Sequence, residues 1–420
     1  MNYYMWTIGC QMNVADSRTL ADGLEKLGYE QAAKAEDADI IVLNSCVVRQ
    51  SAENRVASKL GALRGIKKLR PDATVALMGC MVGPEVFDLH ERFPHVDMFM
   101  SPQQFKPLLD LAEKRMSNTS SFEYVASAMS PTAFVPIIQG CDNFCTYCIV
   151  PYRRGREISR PVAEIAGEVE SLVARGAREV TLLGQNVDSY GHDLQDKPDL
   201  ADLLTTLNDV DGLLRIRFLT SHPKDMSGRL IETIAMLDKV CEHISLPFQA
   251  GDDDILKAMH RGYTIEQYRQ LVEKIRSVIP NAAVSTDLIV GFPGETDAQF
   301  EQSYTLLQDL RFDMVHTAMY SPRPETYASR KLDDDVSPDV KKERLDKVEV
   351  LQKKVVTEIN SKLLGTTVEV LVEGTKKGRW FGRTRTDKLV FFDDERDLLG
   401  RLVQIKVKKT GPWSLQGTAI

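Results

Sequence analysis

Cys141, Cys145 and Cys148 stand in the run Gly140-Cys141-Asp142-Asn143-Phe144-Cys145-Thr146-Tyr147-Cys148, a C-x3-C-x2-C spacing. Three thiolates this close on one loop can hold three irons of a cubane iron–sulfur cluster and leave the fourth without a protein ligand. An open iron can bind a substrate, which a cluster held by four cysteines cannot do. A zinc site wants a fourth ligand at C-x2-C-type spacing, and no nearby histidine or cysteine offers one. A disulfide framework does not fit, because seven cysteines in 420 residues are sparse. The start Met1-Asn2-Tyr3-Tyr4-Met5-Trp6 lacks the basic-then-apolar pattern of a secretory signal.

Three further cysteines gain meaning from the elements that must carry them. Met5–Ile8 precedes Gly9-Cys10, Asp39–Asn44 precedes Ser45-Cys46, and Thr74–Met78 precedes Gly79-Cys80. Helical stretches at 16–27 and 52–69 lie between these apolar runs, so the pattern predicts β-α-β-α-β and a parallel sheet. Parallel strands point their carboxyl ends to one edge, where ligand sites form. Cys10, Cys46 and Cys80 are thereby predicted to share a rim and hold a second cluster, again with one iron open. Cys241 lies in an apolar stretch and reads as plain core.

A Ser-rich linker, 117–131, leads to six apolar runs: 134–138, 179–183, 215–219, 243–246, 284–290 and 314–319. Helical stretches separate them, which predicts a partial or full parallel barrel with chemistry at the strands' carboxyl ends. Polar residues fall there: Gln185, Asn186, Ser221, His222, Gln249 and Asp287. A charged helix over 337–363 leads out of the barrel, and short period-two runs at 367–372, 388–392 and 402–407 predict a small OB-like β-barrel. The expected fold class is α/β, with domains at 1–116, 127–358 and 361–420. Net charge is −7, but residues 361–420 carry +5 and the rest −12. The basic end, with Trp380, Phe381, Arg383, Arg385, Lys406, Lys408, Lys409 and Trp413, combines charge and aromatics as a single-strand-binding surface does. No apolar run is long enough to span a membrane, and unpaired cysteines point to a reducing cytoplasm.

The assembled motifs resemble the radical-SAM methylthiotransferases over essentially the whole chain. Gly9-Cys10-Gln11-Met12-Asn13 with Asp16-Ser17, Asn44–Arg49 and Gly79-Cys80-Met81 resemble that family's three N-terminal cysteine motifs. The runs Tyr147–Pro161, Leu183–Val187, Leu219–Pro223, Tyr320–Pro324 and Gly382–Thr386 resemble its other signatures, and the last 60 residues resemble a TRAM domain. Gln11-Met12-Asn13 is most similar to the group that methylthiolates N6-dimethylallyladenosine next to the tRNA anticodon. Sister groups act on threonylcarbamoyl-adenosine or on a ribosomal protein side chain.

The resemblance implies two 4Fe–4S clusters and S-adenosyl-L-methionine (SAM), with Cys141, Cys145 and Cys148 on the SAM cluster and Cys10, Cys46 and Cys80 on a sulfur-supplying one. Tyr147, Gln185, Asn186, Ser221, Gln249 and Asp287 are expected at SAM or the target base, and Arg153, Arg154 and Arg160 at SAM or RNA phosphate. The anticodon stem-loop of tRNA, an electron donor such as a flavodoxin or ferredoxin, and iron–sulfur and sulfur delivery proteins are the expected partners. A non-enzymatic iron–sulfur RNA-binding protein is the competing class. The sequence departs from the family pattern in several places. Thr is usual where Ser45 stands, Ser or Ala where Val47 stands, Gln where Gly83 stands, and Gly where Glu325 stands. Ala250-Gly251-Asp252-Asp253 replaces a small Ser-Gly-Ser run.

Overall fold

A computed structural model describes residues 1–47, 50–83, 86–116 and 130–420. The expected linker falls at 117–131, so most of it lies outside the described residues, as do Val48 and Arg49 of the second cysteine motif.

The N-terminal region is a five-stranded, all-parallel sheet. Its order is Glu30–Gln31, Asn2–Thr7, Ile40–Ser45, Thr74–Gly79, Met98–Met100. The two central strands are buried at every position, because helices cover both faces. Alternate residues feed two cores: Ile41, Leu43, Val75 and Leu77 on one face, Ile40, Val42, Ala76 and Met78 on the other.

Six parallel strands follow in two groups of three. Thr132–Pro136, Glu179–Leu183 and Arg215–Phe218 pair in one, and His243–Ser245, Ala283–Val290 and Met314–Met319 in the other. Helices pack outside them, and a single large apolar core joins strands to helices. Helix starts follow local chemistry. Thr264 and Gln267 form a reciprocal capping box before Ile265–Val278, and Ser337 caps Pro338–Ser361 with proline in its first turn.

The C-terminal region is a closed five-stranded barrel. One of its strands, Arg379–Thr384, lies outside the three period-two runs of the sequence pattern. Gly382 explains the difference: a side chain there would collide with the Leu371 carbonyl, 1.9 Å from an added Cβ, so glycine lets two strands meet.

This small barrel docks on the larger one through two arginines hidden in an apolar-looking strand. Arg215 donates to the Arg383 carbonyl at 2.7 Å and to Glu369 Oε1 at 2.9 Å. Arg217 donates to the carbonyls of Arg385 (2.8 Å) and Thr384 (2.7 Å) and pairs with Glu179 at 2.9 Å. Among the described residues no helix is long and apolar enough to cross a membrane.

Candidate functional site

Cys10, Cys46 and Cys80 each directly follow or lie just past a strand of the parallel sheet, at its carboxyl edge. Glycines make the rim tight. Gly9 has φ +143°, and a Cβ on it would lie 2.9 Å from the Cys46 Cβ; Gly79 has φ +98°, and a Cβ there would meet the Ser45 carbonyl at 2.4 Å. Asn13 ties the rim together. Its side-chain amide donates to Asn44 Oδ1 and the Ser45 carbonyl, both at 2.9 Å, and the Cys10 thiol donates to Asn13 Oδ1 at 3.2 Å.

Cys141, Cys145 and Cys148 sit on the loop after Ile138–Gln139. The loop is held from three sides. The Thr146 amide donates to the Met259 carbonyl (3.1 Å), the Asp142 amide to Glu157 Oε1 (3.1 Å), and Ala328 donates to the Thr146 carbonyl (2.8 Å).

Both triads suit a cluster better than a single metal. Three thiolates on one zinc lie about 3.8 Å apart, given Zn–S bonds of about 2.3 Å. Among the described residues, neither triad has its three sulfurs all within 4.8 Å of one another. Burial pushes the thiols of Cys80 and Cys141 up to about 11 and that of Cys148 up to about 12. Such buried sulfurs become thiolates only against a bound cation such as iron. Asp142, Glu157 and His192 do bring ligand atoms within 4.8 Å, but Arg156 already occupies Asp142 with bonds of 2.6 and 3.0 Å.

The two triads face one cavity of about 740 Å³, lined by Cys10 and Cys80 on one side and by Cys141, Cys145 and Cys148 on the other. Cys46 is buried and is not among the residues lining that cavity. Arg154 stands between the triads. It pairs with Asp16 at 2.8 Å, both side chains almost fully buried. Burial opposes its charge, yet Cys80, Asp16 and Cys10 together hold its pKa above the ordinary value.

Of the expected ligand-binding residues, Tyr147, Gln185, Ser221, Gln249 and Asp287 line the cavity. Gln249 does so from a left-handed backbone, φ +68°. Gln185 Oε1 and His222 Nε2 are buried and have no hydrogen-bond partner among the described residues. Asn186 is not on the cavity wall; it donates to Asp225 Oδ2 at 2.7 Å. Arg154 is pinned to Asp16 rather than free for phosphate, and Arg160 to Glu164 and Glu168.

The basic end divides likewise. Arg383 and Trp413, which is 53% exposed, line the cavity. Arg385 turns the other way and clamps Glu242 (2.7–3.0 Å) together with the carbonyls of Asp238 and Val240. Trp380 donates to the Asp394 carbonyl at 3.1 Å and packs on the small barrel's core. Lys406 is half-buried and Lys408 exposed, both outside the cavity wall. Cys241 is core, as its surroundings imply.

Three residues escaped sequence reasoning. Buried Arg261 donates to Cys145 Sγ (3.4 Å), Tyr263 Oη (3.2 Å) and the Pro247 carbonyl (3.1 Å), and among the described residues it forms no ion pair with a carboxylate. Asp188 accepts from Ser221 Oγ and the His222 amide, both at 3.0 Å; burial pushes its carboxyl up to about 7. His243 lines the cavity inside the barrel, and burial drives it down to about 4. Arg261 lies in Met-His-Arg-Gly-Tyr, which has no signature beyond a loop before a capping box.

Comparison with known proteins follows these regions. The Radical SAM superfamily matches residues 135–307, the Uncharacterized protein family UPF0004 matches 2–101, and the TRAM domain matches 361–420. A tRNA-2-methylthio-N(6)-dimethylallyladenosine synthase of Dehalococcoides mccartyi (strain CBDB1) is 52% identical over 419 residues, 100% of this chain and 98% of that one. A protein of the same name from Chloroflexus aurantiacus is 49% identical, covering 99% of this chain and 91% of its own. Among solved structures, the radical S-adenosylmethionine methyltransferase TsrM from Kitasatospora setae superposes with a TM-score of 0.59 at 15% identity, over 90% of this chain and 80% of that one. At that identity the likeness speaks to the fold alone.

Proposed function

The chain belongs to the tRNA-2-methylthio-N(6)-dimethylallyladenosine synthase family, and from that premise we propose that it converts N6-dimethylallyladenosine next to the tRNA anticodon to its 2-methylthio derivative. One observation carries the reading: cysteines of two triads from separate parts of the chain, Cys10 and Cys80 of one and all three of the other, line the same cavity. The target C2–H is not acidic and has no leaving group, so acid–base or nucleophilic residues alone cannot open it. A 4Fe–4S cluster, when bound, supplies the electron that cleaves SAM to a carbon radical, and a second one with an open iron supplies sulfur.

The chain's own residues then have definable tasks. Cys141, Cys145 and Cys148 would hold the first cluster; Cys10, Cys46 and Cys80 would hold the second. Arg261, a buried cation without a carboxylate partner among the described residues, would hold the carboxylate of SAM. Gln185 Oε1 accepts from a ligand donor, since a buried acceptor left alone is costly. His222 stays neutral, because burial, Arg261 and Lys224 push its pKa down to about 2, so its Nε2 offers a fixed hydrogen-bonding atom and no charge. Asp188 positions Ser221 and His222 by accepting from both. Trp413 and Arg383 present a stacking face and a cation to the nucleotide at the cavity wall. The electron donor, such as a flavodoxin or ferredoxin, and the sulfur and iron–sulfur delivery proteins belong to this same reading.

Iron and sulfide counts in anaerobically reconstituted protein test it, beside a Cys141/Cys145/Cys148→Ala variant. About eight irons falling to about four supports two cubanes. About four falling to none removes the sulfur source and the reading with it. Cys10→Ala is expected to abolish methylthiolation of tRNA while reductive SAM cleavage continues.

A further inference from the structure

Gly83 and Glu325 meet on one side chain. Arg153 donates from both terminal nitrogens to Glu325, at 2.8 and 2.9 Å, in a bidentate pair. Glu325 holds a left-handed backbone, φ +76°, a conformation that persists at a non-glycine residue only where the surroundings enforce it. Gly83 is buried under the same guanidinium, and a Cβ on it would lie 2.8 Å from Arg153 Nη1. A side chain at 83 therefore requires the Arg153 guanidinium to shift from the place where it meets Glu325.

The three residues come from three places around the triads. Gly83 follows Cys80 in the N-terminal region. Arg153 is the penultimate residue of the helical turn Val150–Arg154 that begins two residues after Cys148, next to Arg154 on Asp16. Glu325 lies two residues beyond buried Arg323, which stands 3.7 Å from Glu53 and feels the charge of Cys46.

We propose that Gly83, Arg153 and Glu325 form a latch that fixes the spacing between the two cysteine triads. Arg153 and Glu325 are positioning residues, acting through the loops that carry Cys80 and Cys148. The functional consequence rests on the proposed two-cluster reaction: with the latch open, a radical is made without the sulfur in register, and SAM cleavage runs uncoupled from product.

Arg153→Ala, Glu325→Gly and Gly83→Gln open the latch by three different routes. In apoprotein, hydrogen–deuterium exchange of segments 79–83 and 150–154 is expected to speed up at least about tenfold in each. In reconstituted enzyme, 5′-deoxyadenosine formed per methylthiolated nucleoside is expected to rise at least about threefold, with the Arg153→Ala/Glu325→Gly double variant no worse than either single. Glu325→Gly is expected to leave the melting temperature unchanged or higher, since glycine accepts the left-handed backbone freely; the loosening is then local rather than a loss of overall stability. Unchanged exchange and coupling in Arg153→Ala would reduce the pair to an ordinary surface ion pair and overturn the latch. Additive effects in the double variant, or a silent Gly83→Gln, also overturn it. Failure of the unaltered protein to methylthiolate tRNA counts against the functional reading instead, because the exchange measurements need neither cluster nor substrate.

Discussion

Replacing Arg154 with methionine isolates the physics of the charge between the triads. Arg154 and Asp16 form an ion pair at 2.8 Å with side chains 3% and 1% exposed. Burial already pushes the Asp16 carboxyl up, and Arg154 pulls it back down. Arg154→Met leaves the carboxylate buried without a cation, with Gln103 as a remaining neutral hydrogen-bond partner, which costs about 3–5 kcal/mol. At about 2–4 °C per kcal/mol for a unit of this size, the transition containing the N-terminal sheet is expected to fall by about 6–20 °C at pH 8.

The loss has a defined pH dependence. Without its partner, Asp16 has a folded pKa raised further above its unfolded value of about 3.9. A group with a raised folded pKa contributes stability that is fully present below the unfolded value and lost as pH rises through the folded one. The variant is therefore closest to the parent near pH 4–5 and falls away by up to about 1.4 kcal/mol per pH unit above that, until Asp16 ionises. Scanning calorimetry of the apoprotein from pH 5 to pH 8 measures this, with Arg154→Met/Asp16→Asn expected to recover part of the loss. A cost below about 1 kcal/mol at pH 8, the level of a solvated surface pair, would refute the buried-charge argument.

Three further outcomes are expected. Asp188, pushed up to about 7 by burial, contributes stability that is lost as pH rises from about 4 through 7, so Asp188→Asn should flatten that decline in urea midpoints; a steeper decline contradicts the assignment. Trp413→Ala should weaken binding of an anticodon stem-loop about five- to 150-fold, the equivalent of about 1–3 kcal/mol per stacked base, with SAM cleavage retained; unchanged binding leaves Trp413 as mere wall. Arg385→Ala strips the barrel contacts to Glu242, Asp238 and Val240, and should speed proteolysis at 361–366 while sparing iron content; an unchanged cleavage rate would mean that Arg215, Arg217 and the Lys388–Asp313 pair hold the small barrel without it.

The cysteines were legible in the sequence for two reasons. Cys141, Cys145 and Cys148 are close along the chain, so covalent geometry alone confines them to one loop. Cys10, Cys46 and Cys80 are far apart, yet each follows an apolar run in a βα alternation, and parallel pairing sends all such ends to one edge. Strand-end polar residues were visible by the same logic, and five of the six expected around SAM line the cavity. Periodicity could not say which charges neutralise one another. Arg154 and Asp16 are 138 positions apart, and Arg217 and the Thr384 carbonyl 167. Arg215 and Arg217 read as part of a strand, and only the docking of another domain explains their burial. Arg385 and Trp413 share a basic, aromatic segment in sequence, yet one is turned into the barrel domain and the other onto the cavity. Local pattern therefore determined the elements and the thiols they carry. The pairing of buried charges was decided only by tertiary packing, because burying a charge is costly unless a distant residue arrives to meet it.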